Sequence, residues 1–186
     1  MNLPDPSDIS KLSNEQLTAV LDNLFEPCST LNAYLVPLIK NETFLTYTDL
    51  IEFARIKLLE LLNTYKSDQT NTPLREKICK IVSAHPRLGV PKKKVKLSAH
   101  SQNEQKSLND DNTELAAALI RLNNEYEIAF PGLIFVVFVN GRSRDEIMNI
   151  MKDRISSSNW LQEVNIAFNS MADIAIDRAK KLNAKL

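Results

Sequence analysis

Residues 159–181, NWLQEVNIAFNSMADIAIDRAKK, contain the helical pattern that decides the fold. The apolar residues recur at spacings of three and four, which places them on one face of a helix. They are Leu161, Val164, Ala167, Phe168, Met171, Ile174 and Ala175. Asn159 stands just before this stripe and asparagine is a favoured N-cap, so we predict that it caps the last helix. Other elements of the fold have to cover such a stripe.

Four upstream segments have the same periodicity. Ser13-Asn14-Glu15-Gln16 is a capping box, so a first helix is predicted over about residues 13–25. Thr72 before Pro73 is typical of an N-cap with proline at the first helical position, and it predicts a fourth helix that Pro86 ends. Between these two, the second helix runs through Leu31, Tyr34, Leu35 and Leu38 and the third covers residues 47–65.

Downstream, three more helices and one extended segment precede the last helix. Ser101 begins a helix to about Asn109, and Ser143-Arg144-Asp145-Glu146 is a capping box that opens another. Between them lies a longer helix with Leu115, Ala118, Leu119, Leu122 and Tyr126. Residues 133–139, LIFVVFV, form a continuous apolar run between two turns, which indicates one extended buried segment. A lone strand has no sheet partner, so we predict an all-α, single-domain bundle of about eight helices.

Composition narrows the function classes. The 186 residues suit one domain over residues 1–186, and 23 basic against 23 acidic residues give no net charge to attract nucleic acid or an anionic membrane. No apolar run is long enough to span a membrane, and the start has no signal-peptide pattern. Cys28, Cys79, His85 and His100 lack metal-ligand spacing, so we expect reduced thiols and no metal.

Two arginines fall on faces that should be packed. The apolar stripe of the last helix continues to Arg178, and Arg154 has the same position in the preceding helix. Each side chain either extends to solvent, pairs with a carboxylate at the edge of the core, or serves a buried site. For Arg154 in particular, a structural role and a site role both stay open.

His85 and Glu104 are the candidate titratable residues. His85 precedes Pro86 just past a helix C-terminus, so we expect an extended conformation and a protonated form favoured by the helix dipole. A plain turn residue is the alternative. Ser101-Gln102-Asn103-Glu104 fits a capping box, yet a helix N-terminus beside a carboxylate is also suited to bind the oxygens of a substrate.

The C-terminal tripeptide Ala184-Lys185-Leu186 has the small-basic-Leu pattern of the peroxisomal import signal. We therefore expect a peroxisomal protein that an import receptor binds through these three residues, with the cytoplasm as the alternative. The basic run at residues 91–96, PKKKVK, is similar to a nuclear-import signal, but short lysine runs are usually solvated loops.

Several motifs occur together in order along the chain. Ala84-His85-Pro86-Arg87-Leu88-Gly89 resembles A-H-P-D-L, residues 101–105 (SQNEQ) resemble S-x-x-E-Q, and residues 122–126 (LNNEY) match L-N-x-x-Y. Phe130 onward, with Gly141-Arg142-Ser143, resembles F-G-F-P-F-[IV]-I and the following G-R-S, while residues 24–28 (LFEPC) and 174–178 (IAIDR) resemble the two ends of the same family. Together these motifs resemble a fungal-like variant of the 2-oxo-4-hydroxy-4-carboxy-5-ureidoimidazoline (OHCU) decarboxylases.

The resemblance implies a cofactor-free carboxy-lyase, commonly dimeric, that converts OHCU from urate oxidation to (S)-allantoin and carbon dioxide. It implies His85 as catalytic acid and base, Glu104 beside it, and Arg178 gripping the ring or carboxylate. The implied substrate-binding residues are Pro86, Ser101, Gln102, Asn103 and Gln105, with backbone groups of Phe135, Val136, Val137, Phe138 and Val139.

Two departures and two alternatives remain. Arg87 stands where the family has Asp, and Phe130-Pro131-Gly132-Leu133 carries one residue more than F-G-F-P, which leaves open which N–H groups of residues 135–139 face the substrate. The role of Glu104 is also open: it orients His85, bonds a substrate hydroxyl or repels the substrate carboxylate. The alternative functions are a non-catalytic helical binding module and a related lyase acting on another ureido acid.

Overall fold

The computed structural model of the protein describes residues 3–89 and 113–186. These ranges contain seven α-helices and one 3₁₀-helix, and they contain no β-strand, so the all-α class is confirmed. The 3₁₀-helix spans Pro6–Lys11, and the α-helices are α1 Asn14–Leu24, α2 Ser29–Ile39, α3 Tyr47–Ser67, α4 Thr72–Val82, α5 Thr113–Ala129, α6 Arg144–Ser157 and α7 Trp160–Lys181. The helix predicted from Ser101 to about Asn109 lies outside the described residues.

Capping side chains fix where the helices begin. The predicted capping boxes at Ser13 and Ser143 are confirmed, and Asn159 caps α7 as predicted. Thr46 forms a further box with Asp49, which the sequence analysis missed.

One predicted cap is wrong by a single residue. The N-cap of α4 is Asn71, whose side-chain oxygen accepts a hydrogen bond from the N–H of Leu74 at 3.0 Å, and Thr72 is already helical. Asparagine and threonine can both cap a helix, and the first helical N–H groups need no partner within the helix, so Pro73 fits either register.

Helix α7 is the centre of the bundle. It packs along α3 more extensively than any other described pair of helices, and it also contacts α1 and α4, while α5 packs against α6. The predicted stripe of α7 is buried except for Leu161, which is half-buried. The buried apolar residues form one contiguous cluster, so every described helix shares the same core.

The apolar segment at residues 133–139 forms neither helix nor strand. Leu133, Phe135 and Val136 are buried, and the other four residues are half-buried. The prediction of a buried segment without a sheet partner is therefore confirmed for its first half, whereas the second half lies closer to the surface.

The C-terminal tail lies against the first turn of α3. The N–H of Tyr47 donates to the carbonyl oxygen of Lys185 at 2.8 Å, and the N–H of Ala184 donates to that of Ala179 at 3.0 Å. Hydrogen bonds from Ser7 lower the pKa of the Asp5 carboxyl, and the charge of Lys185 in the tail adds a smaller effect in the same direction.

Both cysteines are free thiols. The Sγ of Cys28 accepts a hydrogen bond from the N–H of Leu31 at 3.4 Å, so this buried thiol caps α2. Within residues 3–89 and 113–186, no helix combines the length and the apolar character that crossing a membrane requires.

Candidate active site

His85 is a buried imidazole three residues beyond the end of α4. It is 6% exposed, and neither Nδ1 nor Nε2 has a hydrogen-bond partner among the described residues. Burial and, to a smaller extent, the nearby charge of Arg178 lower its pKa from 6.5 to about 3. The ring is therefore neutral at neutral pH.

The expectation that the helix dipole favours protonated His85 is wrong. A helix C-terminus stabilises a cation by about 0.3–2 kcal/mol. The lowered pKa of His85, by contrast, corresponds to about 5 kcal/mol against the imidazolium. Desolvation and the guanidinium of Arg178 therefore outweigh the dipole.

The loop that carries His85 is fastened to α5. The side-chain amide of Asn123, itself buried, donates to the carbonyl oxygen of Leu88 at 3.0 Å. Arg87 donates to the Oδ1 of Asn124 at 2.6 Å, and its Nε lies 2.7 Å from the Oε1 of Glu127. Arg87, which stands where the family motif has Asp, thus adds an ion pair between the loop and α5.

Gly89 allows the same loop to approach α5 closely. Its φ is +74°, and a Cβ at this position would lie 2.6 Å from the Cδ2 of Leu119. The left-handed backbone favours glycine here, and a methyl group would also force the end of the Leu119 side chain to shift.

Arg178 is fully buried at the C-terminal end of α7, as its position on the apolar stripe predicted. Its Nη1 donates to the carbonyl oxygens of Phe25 and Leu24, and its Nη2 donates to the Oε1 of Glu26 at 2.8 Å. Glu26 is 4% exposed, so this is a buried ion pair. The same guanidinium therefore pairs with the Glu26 carboxylate and lowers the pKa of His85.

Arg154 is also buried, and its partners give it a structural role. Its Nε and Nη2 lie 2.9 and 2.5 Å from the Oε2 of Glu163, and its Nη1 donates to the carbonyl oxygen of Val136 at 2.9 Å. The guanidinium carbon lies 4.4 Å from the ring centre of Phe135. The arginine thus anchors the apolar segment to the bundle.

Tyr126 completes this buried cluster. Its hydroxyl donates to the Oε2 of Glu163 at 2.5 Å, and its ring packs edge-on against Phe135. Burial, followed by the hydrogen bond to Glu163, raises the pKa of the Tyr126 hydroxyl well above its usual value. Tyr126 therefore stays protonated and acts as a donor.

Arg142 forms hydrogen bonds with the C-terminal end of the apolar segment. Its Nη1 donates to the carbonyl oxygen of Phe138 at 2.7 Å, and its N–H donates to that of Val139 at 2.9 Å. By contrast, the backbone N–H groups of residues 135–139 have no hydrogen-bond partner within the described ranges.

The structure brings together only part of the predicted site. His85 and Arg178 are close enough to interact, and Pro86 follows His85 in the same loop. Glu104, Ser101, Gln102, Asn103 and Gln105 lie outside the described residues. Phe135, Val136, Val137, Phe138 and Val139 form the segment that Arg154 and Arg142 hold.

Two described cavities lie elsewhere. One, of about 350 Å³, is next to Arg154 between the end of α6 and the start of α7, and the other, of about 540 Å³, is next to Tyr34 and Lys77 between α2 and α4. His85 lines neither of them. In the described part of the chain, no group of three or more His, Cys, Asp or Glu side chains is placed to hold a metal ion.

The family model described as OHCU decarboxylase matches residues 10–180. The chain belongs to the OHCU decarboxylase family. The match includes the His85 loop, the apolar segment and Arg178 of this OHCU decarboxylase. No curated protein matches it. Its reaction is the decarboxylation of OHCU in urate degradation, by a cofactor-independent carboxy-lyase. This result does not favour the non-catalytic module or the lyase for another ureido acid.

Among the buried polar residues of the decarboxylase, the sequence analysis did not single out Glu26, Asn123 and Glu163, which contact the site or the segments around it. Asn123 and Glu163 follow the apolar periodicity, four residues after Leu119 and four before Ala167, and this spacing could have revealed them. Glu26 follows the last turn of α1, where no periodicity applies; it lies in the LFEPC motif, but its role becomes clear only from the contact with Arg178.

Proposed function

We propose that the decarboxylase converts OHCU to (S)-allantoin in a pocket that His85 and Arg178 form together with Glu104. The observation that carries this proposal is the imidazole of His85, which is buried beside Arg178 with both ring nitrogens unpartnered among the described residues. A buried polar group without a partner costs about 1–3 kcal/mol, so a structural histidine would normally have one. Substrate would supply that partner.

The proposed chemistry needs one proton on one face of the substrate. Loss of carbon dioxide breaks a C–C bond, and the electrons pass into the conjugated ring until a proton forms the new C–H bond. A neutral imidazole has one N–H donor and one acceptor nitrogen, so His85 can take up a proton and pass it on. Negative charge that develops on the ring beside Arg178 offsets the positive charge there and raises the affinity of His85 for that proton.

Residues 101–105 and the apolar segment complete the proposal. The family motifs imply Glu104 as a partner of His85, and they imply a substrate-binding role for Pro86, Ser101, Gln102, Asn103 and Gln105. The backbone of residues 135–139 binds the heterocycle, and the support for this is that their N–H groups lack partners among the described residues. Arg178 stabilises negative charge that develops on the ring, where a low-polarity surrounding strengthens the interaction.

The test supplies purified protein with freshly generated OHCU and follows dextrorotatory allantoin by circular dichroism. Wild-type protein should exceed the spontaneous rate, and His85→Ala and Glu104→Gln should lose that excess while they keep the wild-type far-ultraviolet spectrum. A wild-type rate equal to the spontaneous rate would overturn the proposal. Full activity in Glu104→Gln with a lowered melting temperature would assign Glu104 to helix capping alone.

We also propose a peroxisomal homodimer. The support is the tripeptide Ala184-Lys185-Leu186, whose last residue is 44% exposed, and the family's common dimeric state. The localisation is tested with a protein tagged at an internal position. Adding one residue after Leu186 should move the protein from peroxisomes to the cytoplasm, and an unchanged location would refute the role of the tripeptide as an import signal.

The dimer is tested by sedimentation, which should give twice the 21.1 kDa of one chain. A single-chain mass at assay concentration would refute the dimer.

A further inference from the structure

We propose that Glu26 is the positioning residue that orients Arg178 for catalysis. This inference rests on the proposed function, because it takes Arg178 to contact the substrate. Glu26 contacts Arg178 and acts on the chemistry through that contact.

Three consecutive residues at the end of α1 hold the guanidinium. The carbonyl oxygens of Leu24 and Phe25 accept from Nη1, and the Oε1 of Glu26 accepts from Nη2 at 2.8 Å. Because a guanidinium is planar and its donors point in fixed directions, acceptors on both terminal nitrogens fix its rotation as well as its position. The end of α1 is therefore a cradle for one side chain of α7.

Burial makes the carboxylate the strongest part of this cradle. The side chain of Arg178 is 1% exposed and that of Glu26 is 5% exposed, so little water screens the pair. A hydrogen bond between two charged groups is roughly twice as strong as a neutral one. Loss of the Glu26 charge would remove the charged acceptor on Nη2 and keep the two neutral carbonyl acceptors on Nη1, so the Nη2 side of the group would be held more weakly.

A purely structural pair would behave differently from a positioning residue. If Glu26 only joined α1 to α7, its replacement would lower stability and leave the turnover of the folded enzyme unchanged. If it orients Arg178, a displacement near 1 Å would lower turnover by about 100-fold, since catalytic groups have to be placed accurately. Turnover and stability therefore separate the two roles.

The experiment measures kcat, KM and melting temperature for Glu26→Gln, Arg178→Gln and the double variant, each assayed well below its melting temperature. We expect Glu26→Gln to lower kcat by about 100-fold with little change in KM, because the lost interaction strengthens as charge develops. In the Arg178→Gln background, Glu26→Gln should have no further effect on kcat. Where Glu26→Gln does not fold, Glu26→Asp replaces it, since it keeps the charge and shortens the reach.

Asp173→Asn is the matched control on the same helix. It removes an ion pair of 2.7 Å with Arg55, five residues before Arg178 and about 140° around α7. This variant should keep the wild-type kcat. The positioning role is overturned if Glu26→Gln keeps kcat while Arg178→Gln loses it, or if the two losses multiply in the double variant. An Arg178→Gln enzyme with full kcat would instead overturn the proposed function.

Discussion

The buried neutral state of His85 predicts that the protein loses stability in mild acid. The pKa of His85 is about 3 in the folded protein, against an ordinary value of 6.5 that the unfolded chain should show. Between these two values the unfolded chain binds a proton that the folded protein does not bind. The free energy of unfolding is therefore unaffected by His85 above about pH 6.5 and falls as the pH drops toward 3.

The size of the loss follows from the two pKa values. Each pKa unit corresponds to about 1.4 kcal/mol, so the full effect approaches about 5 kcal/mol near pH 3. Between pH 7 and pH 5 the same linkage gives about 2 kcal/mol. This is a large share of the stability of a typical domain.

Urea unfolding at pH 7 and pH 5 measures this loss in wild-type protein and in His85→Gln, which cannot be protonated. The difference in unfolding free energy between the two proteins should change by about 2 kcal/mol, in favour of the variant at pH 5. His100 is present in both, so its titration cancels. An equal difference at both pH values, or a midpoint near 6.5 for the His85 Cε1–H resonance, would refute the reasoning.

Three further variants test contacts around the site. Gly89→Ala should lower the melting temperature by several degrees, because its methyl group would lie 2.6 Å from a leucine side chain of α5. Asn123→Ala removes the donor to the carbonyl oxygen of Leu88 and should lower the unfolding free energy by about 1–3 kcal/mol, measured in urea, as well as kcat. Glu163→Gln leaves the charge of Arg154 buried without its counter-charge and should lower the unfolding free energy by about 3–5 kcal/mol. Wild-type stability in any of them would contradict the contact concerned.

The helices were predictable from the sequence, because their apolar residues recur at a helical spacing. Apolar spacing located α7 and the other described helices, and the boxes at Ser13 and Ser143 marked two helix starts, because these signals are local. The helical stripes also placed Arg154 and Arg178 on packed faces, whereas the spacing left open whether their side chains extend to solvent; the structure buries both. The N-cap of α4 was placed at Thr72 instead of Asn71, because the side-chain oxygens of both residue types can accept the capping hydrogen bond.

The protonation of His85 and the partners of Arg178 were not predictable in the same way. The pKa of His85 depends on how completely the fold excludes water and on a charge 93 positions away in the chain. Glu26 meets Arg178 across 152 residues. Such contacts arise only when α1, α4 and α7 pack against one another, so the spacing of residues along a single helix cannot predict them.

The contact between the tail and α3 would compete with the proposed import receptor for the last three residues. Lys185 supplies an acceptor to an N–H at the start of α3, a donor that the helix itself cannot satisfy. A receptor that binds the tripeptide in extended form has to remove this acceptor first. At about 1 kcal/mol for one hydrogen bond, the folded enzyme would bind about fivefold more weakly than the free C-terminal peptide. Import would then favour chains whose tail has not yet settled on α3, such as newly made ones.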